Sequence, residues 1–149
     1  MHFITGGAFN GKRAWVRGNY GINGAWLSAY QEHHLNADIN QIETNLLVLE
    51  GIEIWLKELT KTYDSYRCRE IWNTTINYWL IWEKAESNRK LVVIGTDITK
   101  GIVPLEKENR IWRDVTGWAY QDLAATADKV DIIWYGLNQT IKQTGDGKL

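Results

Sequence analysis

Three short apolar runs, two of them unbroken and the third interrupted only by Asp131, each closing at or just before a glycine, constrain the fold more than any other feature of the chain. Leu46-Leu47-Val48-Leu49 runs into Glu50-Gly51, Leu91-Val92-Val93-Ile94 into Gly95, and Val130 to Tyr135 into Gly136. A strand wetted on one face alternates apolar and polar residues, whereas an unbroken apolar run suits a strand covered on both faces, as in a parallel sheet wrapped by helices. The intervening stretches carry helical spacing. Ile52 to Leu59 is one, and Tyr66 to Ala85 is a second, with Ile71, Thr75, Tyr78 and Trp82 on one face and Trp72, Ile76 and Trp79 beside them. Glu106 to Ala127 is a third, with Pro104 as a start signal and Trp112, Val115, Ala119 and Leu123 as its buried positions. Strands alternating with helices predict an α/β protein.

Two further strands are expected at His2-Phe3-Ile4-Thr5 and at Ala25 to Tyr30, with a short helix over Arg13 to Tyr20 between them. Residues 1–142 read as a single domain, and the tail from Gln143 to Leu149, with Gly145 and Gly147, reads as frayed. Seventeen Lys and Arg against eighteen Asp and Glu leave a formal net charge of −1, so there is no broad cationic field for a nucleic-acid backbone. With 44% hydrophobic and 23% charged residues the balance is that of a packed chain rather than a disordered one. No run approaches the roughly 20 apolar residues of a membrane-spanning helix, and the lone Cys68 fits a reducing compartment, so the cytoplasm is the expected address. Nine tryptophans are many for 149 residues. An aromatic core accounts for most, and a surplus is expected at contacts between subunits.

The segment most directly tied to chemistry is Gly6-Gly7-Ala8-Phe9-Asn10-Gly11-Lys12. It fills the first seven places of a phosphate-binding loop, in which glycines let successive backbone N–H groups turn inward around phosphate oxygens and the lysine pairs with the β and γ phosphates. A β run precedes it and a helix follows, so the helix N-terminus adds positive potential. The eighth place, where a Ser or Thr hydroxyl would ligate Mg²⁺, is Arg13. Arginine cannot coordinate a cation; it either pairs with a phosphate itself or marks a site that no longer turns over.

Glu50 stands at the carboxyl end of the Leu46–Leu49 run, where an open parallel sheet presents its ligand crevice, and Asp97 stands at the corresponding place beyond Ile94. Each carboxylate is a candidate Mg²⁺ ligand, directly or through water, or else a strand-end surface residue.

Taken together, several segments resemble the bifunctional adenosylcobinamide kinase/adenosylcobinamide-phosphate guanylyltransferase family of cobalamin biosynthesis. Thr5 to Arg13 matches the family's T-G-G-A-R-S-G-K-S loop at Thr5, Gly6, Gly7, Ala8, Gly11 and Lys12, and departs at Phe9, Asn10 and Arg13. Thr96 to Pro104 is similar to N-E-V-G-x-G-I-V-P, keeping an acid at Asp97 and the final Gly101-Ile102-Val103-Pro104. Arg110 to Gln121 is similar to R-x-F-R-D-x-x-G-x-x-N-Q, keeping Arg110, Arg113, Asp114, Gly117 and Gln121, with Trp112 for Phe and Tyr120 for Asn. Leu123 to Lys142 keeps the trailing apolar strand, glycine and Ile-Lys. The chain is shorter than the family between the loop and Leu46, and an R-P and W-x-T segment is not recognisable there.

The resemblance implies a RecA-like P-loop fold of three layers, a mostly parallel sheet between helices, and a symmetric homo-oligomer. It implies GTP or ATP as nucleotide, Mg²⁺ as cofactor and a corrinoid, adenosylcobinamide, as the substrate. The implied activity is phosphorylation of the substrate's aminopropanol hydroxyl and transfer of GMP from GTP onto that phosphate. A family histidine carries GMP as a phosphoramidate; Gln31-Glu32-His33-His34 is similar to that segment, which makes His34 the better candidate and His33 its neighbour. The other implied positions are Lys12 for catalysis, Gly6 through Arg13 with Arg113 for the nucleotide, and Glu50 and Asp97 for the metal. A non-catalytic or single-activity descendant that binds nucleotide or corrinoid is the alternative, favoured by Arg13, Tyr120 and the missing segment.

Overall fold

A computed structural model describes residues 1–144. Six strands form one sheet in the order β2-β3-β4-β1-β5-β6. They are β1 His2–Gly6, β2 Ala25–Ser28, β3 Leu46–Glu50, β4 Lys90–Thr96, β5 Lys129–Trp134 and β6 Leu137–Gln143. The four long helices are α1 Lys12–Tyr20, α2 Ile52–Thr62, α3 Ser65–Lys84 and α4 Lys107–Thr126. All neighbouring strands are parallel except β5 and β6. The α/β class and the mostly parallel sheet are therefore as the apolar runs require.

The continuous apolar runs divide by residue parity between two layers. Phe3, Leu47, Leu49, Leu91, Val93 and Val130 face α2, α3 and α4, while Ile4, Val48, Val92, Ile94 and Ile133 face α1. The first layer is closed by tryptophan. Trp72 and Trp79 meet edge to face at 5.4 Å, Trp55 lies 6.4 Å from Trp79, and the Trp72 indole N–H donates to the Ala119 carbonyl at 3.1 Å. Four of the nine tryptophans, Trp55, Trp72, Trp79 and Trp82, are buried, which places most of the aromatic weight of α2 and α3 in the core. On α3 the buried line is Cys68, Trp72, Ile76, Trp79 and Trp82, so the expected companion positions Ile71, Thr75 and Tyr78 lie at its margin. On α4 Val115, Ala119 and Leu123 are buried as expected, joined by Thr116, whereas Trp112 is only half-buried.

Two expectations are corrected. The Ala25–Tyr30 strand stops at Ser28, because the Ser28 hydroxyl accepts the Tyr30 N–H at 3.2 Å and starts a 3-10 turn over Ala29–Gln31. The supposed frayed tail begins too early. Gln143 is the last residue of β6 and pairs with Lys129, and the Thr144 N–H donates to the Asp128 carbonyl at 2.8 Å. The rest of that tail, 145–149, lies outside the described residues. No helix among the described residues is long and apolar enough to cross a membrane.

This topology positions the site. β1 lies between β4 and β5, and the chain passes from one side of β1 to the other after β4. The carboxyl ends of β1, β3 and β4, namely Gly6, Glu50 and Thr96, therefore gather on one edge at a point where strand order reverses, the general location of ligand crevices in open α/β sheets.

Candidate nucleotide site

The loop from Gly7 to Gly11 joins β1 to α1 on that edge. Its course depends on glycine at two places. Gly6 has φ 144°, and a Cβ there would lie 2.5 Å from the Ile133 carbonyl oxygen, so β1 and β5 approach too closely for any side chain. Gly11, at φ 90°, precedes α1 and supplies no side-chain cap, which leaves N–H groups of the first turn open to an external acceptor. The far side of the loop is braced by the turn between β5 and β6, where Gly136 N–H donates to the Asn10 carbonyl at 2.9 Å and Tyr135 N–H to Asn10 Oδ1 at 3.3 Å.

Lys12 is buried, and its ammonium reaches back across the loop to the Gly7 carbonyl at 2.8 Å. Burial pushes its pKa down from the ordinary 10.5, while Glu53, Glu50 and Asp97 pull it back. A lysine held against its own loop, partly desolvated and surrounded by uncapped amides, is positioned to exchange a carbonyl for a phosphate oxygen.

Arg13 donates from Nε at 2.8 Å and from Nη2 at 2.7 Å to the two oxygens of Glu50, a bidentate pair in which the carboxylate side chain is 6% exposed and the guanidinium 43%. The hydrogen bond to Glu50 holds the Arg13 pKa above its ordinary value. Lys12, Arg13 and Glu50 line one cleft of about 780 Å³ with Phe9, Arg17 and Tyr30. Among the described residues of its lining, three are cations and one is a carboxylate. Arg17 stands four residues beyond Arg13, one helical turn along α1, and packs over the Trp26 ring at 5.1 Å.

Mg²⁺ in a phosphate loop is held by a Ser or Thr hydroxyl at the place after the lysine and by an acid on a neighbouring strand end. Here that place is a guanidinium, and both oxygens of Glu50 are taken by it. Asp97 lies on the opposite flank of the loop, with Gly6, Gly7 and Asn10, outside the lining of the cleft. Its N–H donates to the Gly6 carbonyl, and its Oδ1 accepts the N–H and hydroxyl of Thr99 at 2.8 and 2.6 Å. Among the described residues no three His, Cys, Asp or Glu side chains form a metal-holding group. The donor set present does not fit the ion.

The two histidines are not brought to the cleft. His33 Nδ1 accepts the Ser28 N–H at 2.9 Å, so its lone pair is engaged and the proton of the neutral ring sits on Nε2. His34 is exposed and lines a separate groove of about 600 Å³ with Trp55, Leu59, Ile71 and Tyr78, which shares no lining residue with the Lys12 cleft. Arg113 is half-buried on α4, away from the cleft lining, and its Nη1 is buried without a hydrogen-bond partner among the described residues.

Three residues that build the site are not singled out by the sequence reading: Arg17, Tyr30 and Glu53. Glu53, 3% exposed in the first turn of α2, accepts the Thr96 N–H at 2.9 Å and the Tyr30 hydroxyl, tying the end of β4 to the cleft wall. Burial, followed by that bond, pushes the Tyr30 pKa up. A glutamate at an otherwise buried helical position, between Ile52 and Ile54, is the one signal that points to it. In the core behind β4 the Tyr120 hydroxyl donates to the Thr96 carbonyl at 2.6 Å, and a Cβ at Gly95 would meet Tyr120 and Ile52.

A central strand, a glycine loop and an uncapped helix carrying lysine, in a sheet of this order, define an α/β protein of the P-loop class. Residues 23–141, most of the chain, match the family described as cobinamide kinase / cobinamide phosphate guanyltransferase, and the chain belongs to that family of nucleotide-using enzymes of cobalamin biosynthesis. The matched span begins after the loop, so the reading of Gly6 to Arg13 stands on its own geometry. No curated relative matches the chain.

Proposed function

We propose that this chain binds a nucleoside triphosphate, GTP or ATP, by its polyphosphate in the Lys12 cleft, as a family member that keeps nucleotide binding and at most one half of the two-step reaction. The observation that carries this reading is the loop itself: Lys12 bent onto the Gly7 carbonyl ahead of an uncapped helix, with Arg13 and Arg17 beside it. A polyanion neutralises these cations and replaces the internal bond of Lys12. The engaged Nδ1 of His33, and the placement of His34 in another groove, argue against GMP transfer within one subunit.

A second reading is the complete activity, phosphorylation of adenosylcobinamide followed by GMP transfer. It is supported by the retained Thr96 to Lys142 segments and by the exposed ring of His34, which is open to an incoming nucleotide. Exposed Ile102, Leu105, Trp118 and Trp134 suit association into a homo-oligomer, and the lone, unpaired Cys68 suits the cytoplasm.

Incubation with GTP followed by intact-mass measurement separates the two readings. The first predicts thermal stabilisation by nucleotide with no covalent GMP. A GMP adduct that disappears in His34→Ala would establish the second.

A further inference from the structure

Among the described residues lining the cleft, no carboxylate is unpaired to hold the cation that normally accompanies a phosphate loop. Arg13 occupies the hydroxyl place, and it holds both oxygens of Glu50, the only carboxylate among the described residues that line the cleft. The same pair leaves the third guanidinium nitrogen of Arg13, Nη1, without a hydrogen bond among the described residues, on a side chain that lines the cleft and is 43% exposed. Arg17 adds a second guanidinium one turn along. Arginine offers fixed, permanently charged donors that match phosphate oxygens, whereas it gives a metal ion nothing to bind.

We infer that this cleft binds its ligand as the metal-free polyphosphate, with Arg13, oriented by Glu50, standing in the place of Mg²⁺. This deepens the nucleotide-binding reading and rests on it. Glu50 is a positioning residue: pulled out of metal ligation, it fixes the plane of the guanidinium, so that the free edge of Arg13 turns towards the oxygens that Lys12 approaches from the loop side. A cation already bound to the nucleotide would occupy those oxygens and bring its own positive charge against Arg13 and Arg17. Chelation by Mg²⁺ should therefore not help binding.

The test is calorimetric titration of the full chain with ATP and with GTP, once in excess Mg²⁺ and once in excess EDTA. The expected result is an affinity in EDTA at least equal to that in Mg²⁺. Tightening by Mg²⁺ of more than about twofold overturns the inference while leaving nucleotide binding intact. No binding in either condition removes the nucleotide reading itself, and this inference with it. Arg13→Ser restores the hydroxyl and releases Glu50, so Mg²⁺ should then tighten binding beyond that limit. A variant as indifferent to Mg²⁺ as the parent would show that Arg13 is not the reason. Arg13→Lys keeps a cation without the bidentate fork and is expected to remain indifferent to Mg²⁺ at weaker overall affinity. It also decides the matter if the serine variant fails to fold, since Mg²⁺ dependence in the lysine variant would overturn the role given to the positive charge.

Discussion

Removing Arg13 should destabilise the fold chiefly by what it leaves behind. The Glu50 carboxylate is 6% exposed and has its two oxygens satisfied by Arg13. In Arg13→Ala it becomes a buried charge without its hydrogen-bonding partner, with Lys12 and Arg17 left in the same cleft. Breaking a fully buried pair from one side costs about 3–5 kcal/mol, but the Arg13 side chain is 43% exposed, and solvent screening brings the expected loss to about 1–2 kcal/mol. For a chain of this length each kcal/mol moves the midpoint by roughly 2–4 °C, so Tm should fall by about 2–8 °C. Glu50→Gln added to Arg13→Ala removes the stranded charge at nearly constant shape, and the double variant should regain about 1 kcal/mol of that loss. Differential scanning calorimetry near pH 7, checked by urea unfolding, reads both changes. A double variant no more stable than Arg13→Ala would refute the reasoning, because the cost would then lie in the lost packing of the arginine stem rather than in the unpaired carboxylate.

Acidification should weaken the fold through His2. Burial holds the His2 pKa below its ordinary 6.5, outweighing the hydrogen bond and charge of Asp131, which act the other way. The native ring therefore resists a proton that the unfolded chain accepts. Stability from this group is complete above pH 6.5 and falls as the pH drops from there towards the lowered native value, with a limiting slope of about 1.4 kcal/mol per pH unit. In His2→Gln the stability curve should lose that slope, and equal slopes in parent and variant would count against it. Tyr135→Asn should stabilise the β5–β6 hairpin by about 0.5–1 kcal/mol, since Tyr135 is an exposed non-glycine residue at φ 52° beside Gly136 at φ 74°; a fall in Tm would contradict this. Trp72→Phe keeps a ring in the core but leaves the Ala119 carbonyl without its indole donor, an expected loss of about 1–2 kcal/mol by urea unfolding, with no change expected in nucleotide affinity.

The parallel core was legible because burial on both faces leaves no polar residue in a strand, and Leu46–Leu49 and Leu91–Ile94 have none. The loop was legible because Gly6, Gly11 and Lys12 sit at fixed local spacing. β6 was not, because six of its seven residues are exposed, so its sequence carries no burial pattern. Its turn uses Tyr135-Gly136, whose first residue adopts a left-handed conformation without the Asn or Asp that usually announces one. The partnership of Arg13 with Glu50 spans 37 positions and exists only through the register that sets β3 and β4 beside β1. Local spacing cannot contain it. For the same reason the sequence offered Glu50 as a metal ligand, and the family resemblance offered His33 as the lesser nucleophile candidate beside His34, whereas tertiary contacts occupy the carboxylate of Glu50 and the Nδ1 of His33.

The central claim is that the loop between β1 and α1 grips phosphate through Lys12. Its most direct test is the affinity of the full chain for ATP and GTP by calorimetry, compared with Lys12→Ala, the far-ultraviolet circular dichroism of both being recorded to establish folding. Loss of one charge-assisted bond to phosphate should weaken binding at least about tenfold while the variant stays folded. Unchanged affinity in a folded Lys12→Ala protein would place the nucleotide elsewhere and contradict the account.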